Sequence, residues 1–453
     1  MKIMKYDFWN YVSLGILGML GSAGTILTDA YFVSDRLGAA GLAAMNLSIC
    51  MFGLMNGTGL LFGIGGATRY TILKVKGYDG AADQSFVLSF FTALALGILY
   101  AVIGLLFPKQ IAYVLGADSE TIAMCDVYLK TILLFAPTFV VNHLLMVFIR
   151  NDGSPNLSMT AMMMGSVANI ILDYVFMYPL KMGLFGAALA TGLGALVGIA
   201  ISSLRFLSGK SQLHFVAARI NVKEIGRIIS LGGAAFITEL SSSIVIVVFN
   251  LLILKIAGNV GVAAYGIVAN LALMALAVMN GIAQGIQPLV SKMYGKGETS
   301  TAKKLYHTGL VLAFSIGFVV FLSSSVSAAV LVRCFNGEGN IVLQGMAEEG
   351  LKLYFIGFLF VGYNYLTASF FSATEKPGQS FAVAVFRGLI GIIAVAVILA
   401  DYLGMTGIWL AFSVVEIITV VMCMIFKFDY QKLAFTFSFN PMIEKIKKLA
   451  LRY

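Results

Sequence analysis

The segment 85–107 reads SFVLSFFTALALGILYAVIGLLF and contains no charged residue. A helix needs about 20 predominantly apolar residues to cross the hydrocarbon core of a bilayer, so this segment predicts a membrane span. Further segments of the same kind precede and follow it, and no connection is long enough to hold a soluble domain. The twelve predicted spans lie at 9–34, 41–68, 85–107, 122–149, 157–180, 183–207, 225–256, 260–290, 305–332, 347–372, 379–400 and 405–427.

The composition of the whole chain agrees with a membrane protein. Of its 453 residues, 60% are hydrophobic and 11% are charged, whereas a soluble domain has about 25% charged residues. A water-soluble fold of this length could not hide that much apolar surface. The composition therefore excludes a soluble enzyme, a nucleic-acid-binding protein and a disordered chain. Despite the net charge of +9, we expect the lipid bilayer and no nucleic acid as partner.

Lysine and arginine residues concentrate at one end of the predicted spans. If both termini face the cytoplasm, 22 of the 30 basic residues fall on the cytoplasmic side and six on the outer side. Only Lys130 and Arg387 then remain inside spans. Cytoplasmic loops of membrane proteins carry such an excess. We therefore expect a multi-pass protein with both termini in the cytoplasm.

The second half of the chain repeats the first at an offset of 221 to 224 residues. Each half contains six predicted spans, an even number, so both halves enter the membrane in the same direction. The fold class predicted is an all-α membrane protein of twelve helices in two pseudo-symmetric six-helix bundles. The recurring blocks are Met55-Asn56-Gly57 with Met279-Asn280-Gly281, then Phe148, Pro155 and Ser158 with Phe370, Pro377 and Ser380, and then Gly183 and Gly186 with Gly404 and Gly407.

The repeat divides the chain into four parts. We expect an N-lobe at 1–207, a basic cytoplasmic linker at 208–224, a C-lobe at 225–427 and a tail at 428–453. The tail places lysines beside isoleucine and leucine, which predicts an amphipathic helix on the inner leaflet. Two equivalent bundles can open alternately to the two sides of a membrane, as in secondary transporters.

Carboxylates inside membrane spans are costly, and they usually face a cavity and serve a function. Asp29 in the first span and Asp173 in the fifth lie at comparable depth in the outer half of the membrane. Asn169 shares a helix face with Asp173, and Asn142 and Thr191 can join the same bundle. Oxygen ligands suit a hard cation such as Na+, and two close carboxylates can instead hold a proton. The alternative is that these polar groups only cross-link helices.

Two further acids lie near the middle of the membrane in the second half. Glu239 precedes three serines, which makes its helix unusually polar, and Glu416 lies in the last span. Either could take part in coupling or in substrate binding. The alternative is a protonated glutamic acid that packs two helices by hydrogen bonds.

Methionine and aromatic residues are abundant, with 22 Met and 34 Phe. Thioethers and aromatic faces suit a promiscuous pocket for flat organic cations. Core filling or lipid contact is the simpler explanation for any single methionine. The candidates nearest the expected lobe interface are Met51, Met55, Met279, Gln284 and Gln287.

In these motifs the chain resembles the MATE (multidrug and toxic compound extrusion) family, and most of all its bacterial MepA-type branch. The resemblance extends over essentially the whole chain. It rests on Thr28-Asp29-Ala30-Tyr31-Phe32-Val33 with Leu37-Gly38, on Gly63-Ile64-Gly65-Gly66-Ala67, on Arg150-Asn151-Asp152-Gly153-Ser154-Pro155, on Asn169-Ile170-Ile171-Leu172-Asp173 and on the run from Gly183 to Thr191.

The resemblance implies a V-shaped protein that exports amphipathic organic cations in exchange for H+ or Na+, from a bacterial inner or plasma membrane. The family's N-lobe cation site matches the five residues Asp29, Asn142, Asn169, Asp173 and Thr191. Some members have a second site in the C-lobe, with an acid in span 7, which Glu239 resembles, and an aspartate in span 10. Here span 10 offers Asn364 and no acid.

The function predicted is therefore secondary antiport, with no catalytic residue and no cofactor besides the coupling cation, by a protein expected to be monomeric. A lipid-linked oligosaccharide flippase of related architecture is the alternative. Such flippases line their cavity with several basic residues, whereas only Lys130 and Arg387 lie inside spans here. A channel is disfavoured because no loop resembles a selectivity filter.

Overall fold

The structure is a computed structural model that describes the backbone of residues 2–450 apart from 120, 218 and 337–338. Side chains are described for residues 7–427, apart from those gaps and residue 39. The described backbone forms helices, without a strand. The helices are α1 (Lys2–Val75), α2 (Asp79–Leu106), α3 (Pro108–Val114), α4 (Ile122–Leu134), α5 (Ala136–Asn151), α6 (Pro155–Met177), α7 (Gly183–Leu207), α8 (Val222–Gly295), α9 (Thr299–Val326), α10 (Ala328–Arg333), α11 (Ile341–Tyr354), α12 (Phe358–Ala373), α13 (Pro377–Val385) and α14 (Gly391–Ala450).

Two of these helices are too long to be one membrane span each. α1 and α8 have 74 residues each, or about 110 Å at a rise of 1.5 Å per residue, against a hydrocarbon core of about 30 Å. Gly38 in α1 (φ 65°, ψ −158°) and Gly258 in α8 (φ 62°, ψ −160°) interrupt the helical backbone. Gly404 interrupts α14 in the same way. Each glycine therefore separates two successive spans.

The twelve predicted spans are recovered when these breaks are counted. With α1 divided at Gly38, nine described helices are long and apolar enough to cross a membrane. The count is ten when α4 and α5 are taken together as one span bent by 48°. Two of the ten, Val222–Gly295 and Pro377–Lys427, contain the breaks at Gly258 and Gly404. Dividing each of them gives twelve. The tail lies in the continuation of α14, but its side chains, on which the predicted amphipathic face depends, are outside the described residues.

The two halves also match in detail. Ser158 Oγ donates to the carbonyl oxygen of Met146 at 2.9 Å, and Ser380 Oγ donates to that of Ala368 at 2.8 Å. Both donors and both acceptors are 222 residues apart. The backbone angles of Gly38 and Gly258 agree within a few degrees. This hydrogen bond and this backbone break thus recur in both halves, as the sequence repeat leads one to expect.

The span that contains α4 and α5 is broken in both halves. α5 begins one residue before Pro137, and its counterpart is broken by the 3₁₀ turn Phe355–Gly357 between α11 and α12. A second irregularity belongs to the C-terminal half, where the π-helical segment Phe386–Ile390 joins α13 to α14. Arg387, whose contacts are described below, lies in this segment.

The halves touch through closely packed glycines. A Cβ atom on Gly15 would collide with the carbonyl oxygen of Gly281, and one on Gly232 would collide with that of Leu61. These contacts bring α1 and α8 together on the side of the molecule that carries Arg69 (the Arg69 side). The charge pattern predicts that this side faces the cytoplasm.

The segment that follows α7 is held by the N-terminal half. Asp152 accepts hydrogen bonds from Arg205 Nε at 2.9 Å, from the Gln212 backbone N–H at 3.1 Å and from Ser211 Oγ at 3.3 Å. Tyr70 Oη donates to the carbonyl oxygen of Gln212 at 2.9 Å. The Asp152 of the Arg-Asn-Asp-Gly-Ser-Pro motif therefore anchors the start of the linker.

Candidate functional site

Three helices of the N-terminal half bring together four of the five residues of the predicted cation site. Asp29 lies on α1 before the Gly38 break, Asn169 and Asp173 on α6, and Thr191 on α7, while Asn142 lies on the adjacent helix α5. The carboxyl groups of Asp29 and Asp173 are neighbours, and Asn169 lies beside that of Asp173. Asn169 Nδ2 donates to Thr191 Oγ1 at 3.4 Å. Asp173 is fully buried.

Five oxygen atoms of the predicted site residues have no hydrogen-bond donor. Among the described residues, none donates to Asp29 Oδ1, to either carboxyl oxygen of Asp173, or to the amide oxygens of Asn142 and Asn169. Buried polar atoms are normally paired, because an unpaired one costs free energy. A proton shared by the carboxyl groups or a small cation would supply the missing partner. Carboxylate and amide oxygens are the ligand types that suit a hard cation.

Small residues on α7 make room for the two amides. Thr191, Gly194 and Gly198 are spaced three and four residues apart, so they share one helix face. A Cβ atom on Gly198 would lie 2.5 Å from Asn142 Oδ1, and one on Gly194 would lie 2.9 Å from Asn169 Cβ. The absence of side chains at these two positions therefore fixes where both amide groups lie.

Tyr128 is a neighbour of this cluster that the sequence did not indicate. It lies on α4, half-buried, within electrostatic range of both Asp29 and Asp173. Its hydroxyl is a polar group that can contact a bound cation or donate to a carboxylate. A single tyrosine in an apolar helix gives no sequence signal of such a role.

The C-terminal half holds a different polar cluster. Arg387 Nε donates to Glu416 Oε1 at 2.7 Å, and Asn364 Nδ2 donates to Glu416 Oε2 at 2.7 Å and to its backbone oxygen at 2.9 Å. The side chain of Glu416 is 1% exposed and that of Arg387 11%. The guanidinium carbon of Arg387 lies 4.0 Å from the centre of the Tyr365 ring. The sequence indicated Glu416 and Asn364 as candidates, but not their pairing with Arg387.

A cavity of ≈ 80 Å³ lies between the two halves. Its wall includes Glu239, Gln284 and Gln287, three of the predicted residues, together with Arg150 and Tyr365. Pockets for drug-sized ligands have volumes of about 300–1,000 Å³. In this conformation the cavity is thus too small for such a ligand, and the halves would have to separate to admit one.

Arg150 is placed differently from what the charge pattern suggested. That pattern counted it among the cytoplasmic basic residues, but it is 5% exposed and lines the cavity. Its Nη1 donates to Gln284 Oε1 at 2.9 Å, across the two halves. Because Arg150 comes directly after a predicted span, its position at the end of α5 alone could not show whether it points outward or into the cavity.

Gln287 forms further contacts between the halves. Its Nε2 donates to Thr68 Oγ1 at 2.8 Å, and its Oε1 accepts from Asn151 Nδ2 at 3.2 Å. Closer to the surface, Arg69 pairs with Glu224 at 2.8 Å and with Glu375 at 3.3 Å. The halves are therefore held together on the Arg69 side.

The three predicted methionines do not line this cavity. Met55 and Met279 are fully buried in the hydrophobic cores of the N-terminal and C-terminal halves, and Met51 is partly buried against the first of these cores. Their contact with substrate stays a prediction.

Clusters of three or more His, Cys, Asp or Glu side chains that could hold a metal ion are absent from the described residues.

Fold and site together define a polytopic membrane protein with two equivalent helical halves, one of which contains a buried carboxylate pair. A sequence model of the MatE family matches residues 16–175 and 234–397, one stretch in each half. The chain belongs to this family, as its motifs predicted.

Its relatives include two proteins that carry the name Multidrug export protein MepA. The one from Staphylococcus saprophyticus is 28% identical over 416 residues, which cover 90% of each chain. The one from Staphylococcus aureus is 28% identical over 400 residues, which cover 87% of this chain and 86% of the relative.

Solved structures show the same fold. The outward-facing conformation of a multidrug resistance MATE family transporter matches with a TM-score of 0.88 at 22% identity, over 95% of this chain and 97% of that chain. A Vibrio cholerae MATE transporter matches with a TM-score of 0.87 at 21% identity, over 96% and 98%.

Proposed function

We propose that the protein is a secondary antiporter that exports amphipathic, often cationic, organic compounds in exchange for H+ or Na+. The observation that carries the proposal is the Asp29–Asp173 pair, because three of its four carboxyl oxygens lack donors, as do the amide oxygens of Asn142 and Asn169. Such a cluster is stable only with a proton or a cation bound, so its net charge changes when the coupling cation binds or leaves. The names of the relatives support export of drugs.

In this proposal residues 1–207 and 225–427 move as two lobes, joined by the linker at 208–224 and followed by the membrane-surface tail at 428–453. Binding of the coupling cation neutralises the carboxylate pair, and the lobes then exchange which side of the membrane the cavity faces. The contacts on the Arg69 side close the cytoplasmic entrance, with both termini in the cytoplasm. All ligands of the cation site come from one chain, which fits a monomer in a bacterial cell membrane.

Substrate binds between the lobes. Glu239 offers a negative charge to an organic cation, Tyr365 offers an aromatic face, and Gln284 and Gln287 offer hydrogen bonds once the lobes part. Cations over aromatic rings gain about 0.5–2 kcal/mol. The predicted Met51, Met55 and Met279 would join only after a rearrangement of the cores.

The test is ethidium efflux from vesicles that contain the wild-type protein, Asp29→Asn or Asp173→Asn, with imposed Na+ or H+ gradients. Each substitution removes the charge that the cation neutralises, so we expect gradient-driven efflux to fall at least tenfold. The ion whose gradient drives efflux by the wild type is the coupling ion.

Asp35→Asn is the matched control. Asp35 lies on the same helix, is exposed, and accepts a hydrogen bond from Tyr178 Oη at 2.6 Å. We expect its efflux to equal that of the wild type. Undiminished efflux by both Asp29→Asn and Asp173→Asn would refute the proposed role of the pair.

A further inference from the structure

The two halves each carry a buried asparagine at an equivalent position, but in different electrostatic surroundings. Asn142 and Asn364 are 222 residues apart, the same offset that relates the matching hydrogen bonds of Ser158 and Ser380. The amide oxygens of both lack a donor among the described residues, and Asn142 is one of the residues of the cation site proposed above. Asn364 is fully buried and donates to Glu416, whose second carboxyl oxygen is paired with Arg387.

The charge balance of the two clusters differs accordingly. No ion pair to Asp29 or Asp173 is formed by the residues that the structure describes, so the N-terminal cluster needs a cation from outside. In the C-terminal cluster, Arg387 lies 2.7 Å from Glu416 and supplies a positive charge from the chain itself. The side chains of Tyr354, Tyr365 and Cys423 also lie near this pair.

The local backbone is built to place this arginine. Arg387 lies in the π-helical segment Phe386–Ile390, which rotates the following residues relative to a regular helix. Such segments are rare and occur often at functional sites. Gly388 packs against Ser241 of α8, and the guanidinium group stacks on Tyr365, whose ring borders the cavity. A buried ion pair adds little to the stability of a helix bundle, because the cost of desolvation offsets most of its attraction.

We propose that Arg387 acts as a built-in cation that permanently occupies the C-terminal counterpart of the exchangeable cation site. Glu416 is therefore kept charged and binds no exchangeable cation. The number of cations exchanged per substrate is then set by the N-terminal half alone. The inference rests on the proposed antiport. It makes Arg387 a residue that determines coupling stoichiometry, rather than a ligand of the substrate.

The experiment measures the substrate accumulation ratio in proteoliposomes at equilibrium, with the membrane potential clamped at zero, as a function of the imposed cation gradient. The slope of log accumulation against log gradient is the number of cations exchanged per substrate. Arg387→Met removes the charge at similar length and leaves Glu416 without a counter-ion. We expect the slope to rise by about one, since Glu416 must then bind an exchangeable cation.

Two variants complete the design. Arg387→Lys keeps the positive charge, and the double variant Arg387→Met/Glu416→Gln removes both charges, which is often tolerated in buried pairs. Both are expected to show the wild-type slope. An unchanged slope in an active Arg387→Met protein overturns the inference, and so does a raised slope that persists in the double variant.

A measurement on the wild type covers the case in which Arg387→Met does not fold. Dicyclohexylcarbodiimide reacts with protonated carboxyl groups inside membranes, and peptide mass spectrometry locates the product. We expect modification of Asp29 or Asp173 and none of Glu416. A Glu416 adduct that is suppressed by raised pH or by Na+ would contradict the built-in cation. A wild type whose accumulation does not depend on any cation gradient would instead refute the proposed antiport.

Discussion

At the scale of single residues, the position of the Asn142 amide in the candidate cation site depends on a neighbouring glycine. Its amide oxygen has no donor, and it lies against the one face of α7 that lacks side chains. Position 198 therefore controls the amide without belonging to the site.

We expect Gly198→Ala to weaken the apparent affinity for the coupling cation. The added Cβ atom would lie 2.5 Å from Asn142 Oδ1, so the amide must move. Overpacking of this kind costs about 1–3 kcal/mol, which corresponds to a roughly tenfold or larger loss of affinity. The measurement is the concentration of Na+ or H+ that half-saturates ethidium efflux.

Gly266→Ala is the control for this substitution. Gly266 is also helical, and a Cβ atom there meets nothing within 4 Å. Its half-saturating concentration should equal that of the wild type. An unshifted value in Gly198→Ala as well would show that Asn142 takes no part in binding the cation.

At the scale of helices, the breaks at Gly38 and Gly258 divide α1 and α8 into successive spans. Both glycines combine a φ near +60° with a ψ near −160°, a region that residues other than glycine hardly ever adopt. Without these breaks, α1 and α8 would each continue straight out of the membrane. The turn from one span into the next thus depends on a single residue in each half.

We expect Gly258→Ala to destabilise the protein by about 1–3 kcal/mol, the cost of holding an alanine in this backbone region. Packing does not contribute, because a Cβ atom at position 258 meets nothing within 4 Å. Thermal unfolding in detergent should show a lower melting temperature. Gly38→Ala should lower it by a similar amount, because the two positions have the same geometry.

Gly266→Ala again provides the comparison, since it changes glycine to alanine in the same helix with a regular backbone. Its melting temperature should not fall. Equal melting temperatures for Gly258→Ala and Gly266→Ala would mean that the break can be made without glycine.

Much of this architecture is predictable from the sequence at the scale of the whole molecule. Twelve spans and the two-fold repeat follow from hydropathy and from matched motifs, because the bilayer permits only long apolar helices. Asp29 and Asp173 stand out because so few charges lie inside spans. That they belong to one site with Asn142, Asn169 and Thr191 is expected from the motifs of a known family rather than from spacing alone.

The unpredicted features all depend on which helix faces meet. The Arg387–Glu416 pair joins residues from two spans, and Arg387 lies in a π-helical segment, which hydropathy does not show. Arg150 and Tyr128 likewise become notable only once the packing of α4 and α5 is known.

The contacts on the Arg69 side lead to a prediction about where the halves separate during transport. Arg69 of the N-terminal half pairs with Glu224, the residue near the start of α8, at 2.8 Å. If transport requires this side to open, a covalent link between positions 69 and 224 should stop it. We expect a short bifunctional methanethiosulfonate to cross-link Arg69→Cys/Glu224→Cys and to abolish ethidium efflux, with recovery after reduction.

The matched control links two positions within one half. Lys74 pairs with Asp79 at 3.0 Å, both in the N-terminal half, so cross-linked Lys74→Cys/Asp79→Cys should keep its efflux. Each single-cysteine variant treated with the reagent controls for the loss of the native side chain and for the four native cysteines. Full efflux by the cross-linked Arg69→Cys/Glu224→Cys protein would show that the halves do not separate on this side. Alternating access by separation of the lobes would then be excluded, because the cavity of ≈ 80 Å³ has to widen toward the Arg69 side to take up a drug-sized molecule from the cytoplasm.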